Sequence, residues 1–314
     1  MLVTSLSVVI PFYNETENIA PLFDRLLPVV TAITQDWEVV CVDDGSEDET
    51  FEKLQAFRAR DPRIKLLKLS RNFGKEAAIS AGLSYAGGAH VLVMDGDLQH
   101  PPEVLPDMIK LQLDGFDVIY GVRGSRQSDG TLRTSLSRLF YPVFSAFSET
   151  DIPPDVGDFR LMTRRVVLAL NALPEKTRFM KGLYAWVGFS HHPVEFDVAP
   201  RVNGNSKWSL PRLFGYGWTA IVSFSALPLR LCSVVGFAIA TLALFYAIWI
   251  GLSTVLFGRD VPGYATLAVA IFFLGGLQLI GIGLLGEYIA RIFTEAKGRP
   301  LFIVEEADGF ESSE

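Results

Sequence analysis

The 314-residue chain holds two cysteines, Cys41 and Cys232, and four histidines. That supply excludes a disulfide scaffold and fits a reducing compartment. His100 has no second His or Cys at zinc-ligand spacing, so it reads as structural. Neither G-x-x-x-x-G-K-[ST] nor G-x-G-x-x-G occurs, which removes the two common phosphate-cradling loops. Excess positive charge is also missing: 28 Lys and Arg face 35 Asp and Glu, for a net charge of −7. A nucleic-acid partner is therefore not expected. The chain runs straight into LSVVIPFYN (6–14) with no basic leader or cleavage site, so no removable signal is expected either. The last absence is the most informative. No charged residue occurs from Cys232 to Gly258, nor from Val261 to Gly286. Each run exceeds the roughly 20 apolar residues that cross a bilayer core. Two in series predict a membrane hairpin rather than a pair of buried helices.

The first 125 residues alternate short β-rich runs with helical spacing. Strands are expected at 6–13, 37–46, 64–70, 90–97 and 116–123. Helices are expected at Glu17 to Val30 (with Asn14 as the cap), Glu49 to Arg60, Lys75 to Ala86 and Pro102 to Asp114. This alternation predicts an α/β domain with a mainly parallel sheet and helices on both faces. Such sheets bind ligands beyond the carboxyl ends of their strands. Polar clusters stand at four of those ends: Asn14-Glu15, Asp43-Asp44, Arg71-Asn72 and Asp95-Asp97. One cluster is a solubilising turn; four at equivalent edges suggest a site.

Further along, Arg133 to Ser148 and Arg164 to Ala172 read as helices and 183–200 as short strands. The expected organisation is a cytoplasmic domain over 1–208 and an interfacial amphipathic segment over 209–228. A transmembrane hairpin follows over 229–290, with spans near 232–257 and 264–286, and then a cytoplasmic tail over 291–314. Trp208, Tyr216 and Trp218 suit the headgroup zone, although a core helix is the alternative for that segment. Lys207, Arg212 and Arg230 precede the hairpin and Arg291, Lys297 and Arg299 follow it, against Arg259 alone at its tip. The positive-inside rule then puts both termini on the cytoplasmic side. The acidic tail from Glu305 is expected to be unstructured.

In MDGDLQHPP (94–102), Asp95 and Asp97 would point to opposite faces of an extended strand. Gly96 is expected to let the chain turn so that both reach one centre. Like charges this close need a cation, and oxygen-only ligation suits Mg2+ or Mn2+; a solvated turn is the alternative. VDDGS (42–46) repeats the form. Its carboxylates could accept bonds from a base edge or a ribose hydroxyl, or Ser46 or Asp48 could simply cap the next helix.

VVIPFYNE (8–15), VDDGS (42–46), RNFGKEAAISAG (71–82) and MDGDLQHPPE (94–103) together resemble family 2 glycosyltransferases with the GT-A nucleotide-sugar-binding fold. GDFRLM (157–162), the R-x-x-G-x-S-K-W stretch (201–208) and the two-helix tail narrow this to the polyisoprenyl-phosphate glycosyltransferase branch. The resemblance covers nearly the whole chain; the Q-x-x-R-W of processive synthases is absent. It implies a nucleotide-sugar pocket of Pro11, Tyr13, Glu15, Asp43, Asp44, Lys75, Asp95 and Gln99. It implies a metal held by Asp95, Asp97 and Gln99, with Asp97 the more direct ligand, and a basic loop of Arg201 and Lys207 near the phosphates.

The implied reaction is inverting transfer of one sugar, glucose from UDP-glucose first, to a polyprenyl phosphate such as undecaprenyl phosphate. GDP-mannose, UDP-N-acetylhexosamine or a UDP-aminoarabinose derivative remain alternative donors. The setting is the cytoplasmic face of a cell inner membrane, with a multi-pass chain that assembles as a homo-oligomer, a tetramer in some relatives. A phosphate monoester has a second pKa of about 6, so the acceptor is already anionic and a strong base is optional. The site chiefly needs cations: Arg123, Arg126, Arg133, Arg138, Arg201 and Lys207 are candidates, with surface solubility as the alternative for each. Asp158 is the candidate base or acceptor-orienting acid, or the partner of Arg160. A catalytically silent membrane scaffold and a transporter are the rivals from other classes.

Overall fold

The computed structural model describes residues 3–124, 156–176, 178–196, 227–257 and 263–310. Strand β1 (Leu6–Phe12) lies inside an eight-stranded sheet, and the order across it is β7-β5-β6-β4-β1-β2-β3-β8. The parallel block is β4 (His90–Val93), β1, β2 (Trp37–Asp43) and β3 (Ile64–Leu69). Between these strands run α1 (Ile19–Ile33), α2 (Thr50–Arg58) and α3 (Lys75–Tyr85). After β4, a short 3-10 turn leads into α4 (Leu105–Leu113) and then β5 (Val118–Arg123).

Both faces of β1 are covered, which explains its almost unbroken apolar sequence. Val8, Ile10 and Phe12 pack under Leu22 and Phe23 of α1 and Leu54 of α2. Val9 faces the other way, toward Ala78 and Ile79 of α3. Helix α3 approaches closely because of its small residues. A Cβ on Gly82 would collide with the Val9 side chain.

Beyond the parallel block the sheet is mixed. Strand β6 (Val156–Thr163) enters antiparallel between β4 and β5. It leads into α5 (Arg164–Ala172) and α6 (Met180–Trp186), and β7 (His191–Phe196) pairs parallel to β5. Strands were expected from residue 183, but 183–186 complete a helix that buries Met180, Leu183 and Tyr184 against the α3 side of the sheet.

Helices α7 (Leu227–Phe257) and α8 (Tyr264–Ala296) are long and apolar enough to cross a membrane, and neither span is buried in the protein. They pack near Gly281, where a Cβ would stand 3.4 Å from Cys232 Sγ. The expected interfacial segment up to residue 226, the helix at Arg133 to Ser148 and the hairpin tip at 258–262 lie outside the described residues.

The tail is not unstructured. Strand β8 (Val304–Asp308) pairs antiparallel with β3, and the Ser70 amide donates to the Ile303 carbonyl at 3.0 Å. Acidic composition suggested a free tail, but the open β3 edge offers a ladder. Arg58 meets Asp308 at 3.5 Å, and Phe310 packs edge-on against Tyr85. The sheet is thereby tied to the end of α8.

Candidate active site

The carboxyl ends of β1, β2, β3 and β4 converge, and their loops are laced together. Asn14 adopts a left-handed turn (φ 53°) rather than capping α1, where Asn18 stands at the cap. The Asn14 amide donates to Ser46 Oγ at 3.0 Å, and its side-chain oxygen accepts from the Glu47 amide at 2.9 Å. Glu15 accepts from Asn18 Nδ2 at 2.5 Å, and its amide donates to Thr50 Oγ1 at 3.0 Å. Pro11 and Tyr13 flank this corner, both half-buried.

The two acids of VDDGS differ in use. Asp44 holds the β3–α3 loop: its two oxygens accept the Phe73 and Gly74 amides at 2.8 and 2.9 Å. Asp43 is 1% exposed; it accepts a long bond from the Ser46 amide, 3.3 Å, and the Ser46 side chain also bonds to it. Its other oxygen is buried with no hydrogen-bond partner among the described residues. Burial pushes the carboxyls of both acids up, more than their hydrogen bonds pull them down. A buried carboxylate with an open acceptor costs free energy unless a ligand fills it.

The Asp95–Asp97 turn leaves β4 after Val93. Gly96 is not in the left-handed region; Leu98 is, at φ 63°. What Gly96 supplies is room, since a Cβ there would lie 2.8 Å from Phe12 Cε1. Asp97 Oδ1 accepts the Gln99 amide at 3.1 Å, which shapes the turn. His100 anchors it from below. Its Nδ1 accepts the Asp95 amide at 3.0 Å, and its ring stacks on Phe159 with centroids 4.9 Å apart. Burial holds the His100 pKa below its ordinary value, consistent with a neutral ring accepting at Nδ1.

Strand β6 brings the fifth acid. Arg160 stands opposite Val93 in the antiparallel register, so continuing both strands sets Asp158 opposite Asp95. Opposed like charges repel. Lys75, first residue of α3, lies between them: Nζ is 2.7 Å from Asp95 Oδ1 and 2.6 Å from Asp158 Oδ2. Burial alone would raise the Asp158 carboxyl, but the nearby cations, Lys75 first and then Lys181 and Arg160, together hold it well below the carboxylate range. Burial pulls the Lys75 ammonium down, and Asp158 and Asp95 more than reverse this. The close salt bridge of Asp158 is thus to Lys75, while Arg160 acts on it from farther away. The Arg160 guanidinium donates to the Gly157 carbonyl and lies 4.2 Å over the Tyr184 ring.

Asp95, Asp97 and Gln99 share one short turn, while no cluster of three or more His, Cys, Asp or Glu suited to a metal occurs among the described residues. Two carboxylates suffice for Mg2+ or Mn2+ when substrate phosphates and water complete the shell, so this oxygen donor set fits such an ion. Arg123 closes β5 at the same edge. Arg126, Arg133, Arg138, Arg201 and Lys207 lie outside the described residues. Two features were missed in the sequence: the His100 anchor and the lysine bridge. The i+5 spacing of His100 from Asp95 carries no recognisable signal. The bridge depends on a strand that enters from 60 residues away.

Glycosyl transferase family 2 matches residues 7–170, and the GtrB C-terminal hairpin matches residues 227–292. An uncharacterized glycosyltransferase of Synechocystis is 47% identical over 98% of this chain and 96% of its own length. A bactoprenol glucosyl transferase of Shigella phage SfV is 41% identical over 96% and 98%. The SfII prophage-derived bactoprenol glucosyl transferase of Shigella flexneri is 40% identical over the same shares, 96% and 98%. The chain belongs to glycosyl transferase family 2.

Proposed function

We propose, from membership of glycosyl transferase family 2, that the chain transfers one glucose from UDP-glucose to a polyprenyl phosphate with inversion at the anomeric carbon. The acceptor is undecaprenyl phosphate or a close analogue, reached at the cytoplasmic face of the inner membrane. The observation that carries this reading is a cation-bridged acidic cluster at the carboxyl edge of a sheet that is itself stapled to the end of an apolar helix. The names of the bactoprenol glucosyl transferases support the sugar and the lipid.

Each residue then has a task. Asp43 offers its open oxygen to the nucleoside, beside Pro11, Tyr13 and Glu15. Asp44 keeps the β3–α3 loop, and so Lys75, in place. Asp95 and Asp97, with Gln99 beside them, would hold a divalent cation. When bound, that ion supplies charge stabilisation for the departing diphosphate. Asp158 is held ionised and is therefore a weak base, so we assign it to orienting Lys75. This suits an acceptor that is already anionic near neutrality. The remaining requirement is to hold two anionic substrates in line. Arg123, Arg126, Arg133, Arg138, Arg201 and Lys207 are the proposed acceptor cations.

The proposed organisation keeps a catalytic domain at 1–208, an interfacial segment at 209–228, a hairpin at 229–290 and a tail at 291–314. Both termini face the cytoplasm, and copies associate through the hairpin. The test is incubation of the purified chain with undecaprenyl phosphate, Mg2+ and a panel of radiolabelled nucleotide sugars, followed by organic extraction. Label from UDP-glucose in the lipid fraction, lost on chelation, supports the reading. No lipid label from any donor overturns it.

A further inference from the structure

At the C-terminal end of α8, past the apolar zone, a cavity of about 320 Å³ opens against the catalytic domain. Three cations line it: Lys176 from the α5–α6 connection, and Lys297 and Arg299 just beyond α8. No acid is in its lining, and among the described residues no carboxylate pairs with these three side chains. One acid, Glu295, lies close by, and its oxygens accept the Lys176 backbone amide at 2.9 and 3.1 Å. That bond fixes the cavity by tying the catalytic domain to the helix. The Lys297 ammonium rests on the Phe293 ring at 4.1 Å.

The level of the cavity is set by the helix. The uncharged run of α8 ends at Gly286, and Glu287 opens its polar end. At 1.5 Å per residue the helix from Glu287 to Lys297 rises about 16 Å. Lys297 and Arg299 therefore stand on the polar side, beyond the apolar zone. Pro300 and Leu301 add an apolar wall. A second cavity, about 290 Å³, shares Lys176 and Leu301 with the first and is lined by Lys75, Arg178 and one acid, Glu76. Lys75 is the residue that bridges Asp95 and Asp158. Lys176 thus links the two cavities, and Lys75 joins the second to the acidic cluster.

We propose that the cavity of Lys176, Lys297 and Arg299 is a loading site for the phosphate monoester of a membrane-borne polyprenyl lipid. From there the headgroup passes along Lys176 to the second cavity. This rests on the polyprenyl phosphate reading above and adds a site apart from the arginines proposed there. Charged hydrogen bonds to phosphate supply the attraction, and the apolar wall takes the first isoprene unit.

The test uses the full chain in phosphatidylcholine nanodiscs, comparing wild type with the double variant K297Q/R299Q. The Michaelis constant for undecaprenyl phosphate should rise about tenfold, which corresponds to roughly 1.4 kcal/mol. The turnover at saturating lipid and the Michaelis constant for UDP-glucose should not move, and K297R/R299K should restore the value. An active wild type with an unchanged lipid constant in the double variant overturns the proposal. Native mass spectrometry of undecaprenyl phosphate adducts, without donor, gives a readout independent of turnover. A wild type that transfers nothing refutes the functional reading; the adduct count then decides the site, since equal adducts in both proteins overturn it. Displacement of the lipid by phosphatidylglycerol or inorganic phosphate as readily as by unlabelled undecaprenyl phosphate also overturns it, because the cavity is then a general anion site.

Discussion

Lys75 and Asp158 meet at 2.6 Å, joining the first residue of α3 to the β6 strand. The same ammonium reaches Asp95 at 2.7 Å. One cation thus separates two carboxylates that the sheet register sets against each other.

Replacing Lys75 with Met removes that separation. Turnover should fall about 100-fold or more, the scale for losing one electrostatic group in a catalytic site. Lys75→Arg should recover part of it. The Lys75 side chain is 44% accessible, so solvent screens the pair and the effect on stability should be smaller than on rate. Steady-state rates and thermal melts of both variants check this.

Asp43 should behave in the opposite sense. Its carboxyl is raised by burial, so ionisation inside the fold costs stability above the ordinary carboxylate pKa of about 3.9. Asp43→Asn should therefore leave the melting temperature at pH 7 unchanged or higher, and any gain should vanish below about pH 4. The Michaelis constant for UDP-glucose should rise about tenfold, as for loss of one hydrogen bond to a charged group.

The pH profile should show an acid limb near 6, from protonation of the acceptor phosphate. Asp158 is depressed, so the stability its pair confers is present above about pH 3.9 and is lost only as pH falls through its lower folded value. It stays ionised across the assay range. Asp158→Asn should lower the rate and the melting temperature at pH 7 without moving the limb. A limb that shifts in this variant would mark Asp158 as a titrating base.

The β8 strand covers an edge that would otherwise be open to pairing. Phe310→Ala removes its contacts with Tyr85 and Lys65. A half-buried ring should cost about 1 kcal/mol, below the full-burial range, and lower the melting temperature by about 2–4 °C. Truncation after Gly298 should go further and promote aggregation, read by light scattering in detergent.

The parallel block was legible because each strand is apolar on both faces and each ends in a polar cluster. Val8 to Phe12 illustrates this, with alternate residues buried on opposite sides. The antiparallel entry of β6 was not legible. Nothing in GDFRLM records which edge it will join, and the Lys75–Asp158 pair follows from that choice. Strand β8 was hidden for a similar reason: Glu305, Glu306 and Asp308 suggest solvent, while the ladder is made by backbone. The role of Gly96 was misjudged because a glycine that makes room for Phe12 and one that turns the chain look alike in sequence.

The central claim is a single in-line displacement by a lipid phosphate oxygen at the anomeric carbon. Proton and phosphorus NMR of the purified lipid product from UDP-glucose and undecaprenyl phosphate measures it. The account predicts one glucosyl residue in a phosphodiester linkage with β configuration. An α-linked product, or sugar attached anywhere other than the phosphate, would contradict it.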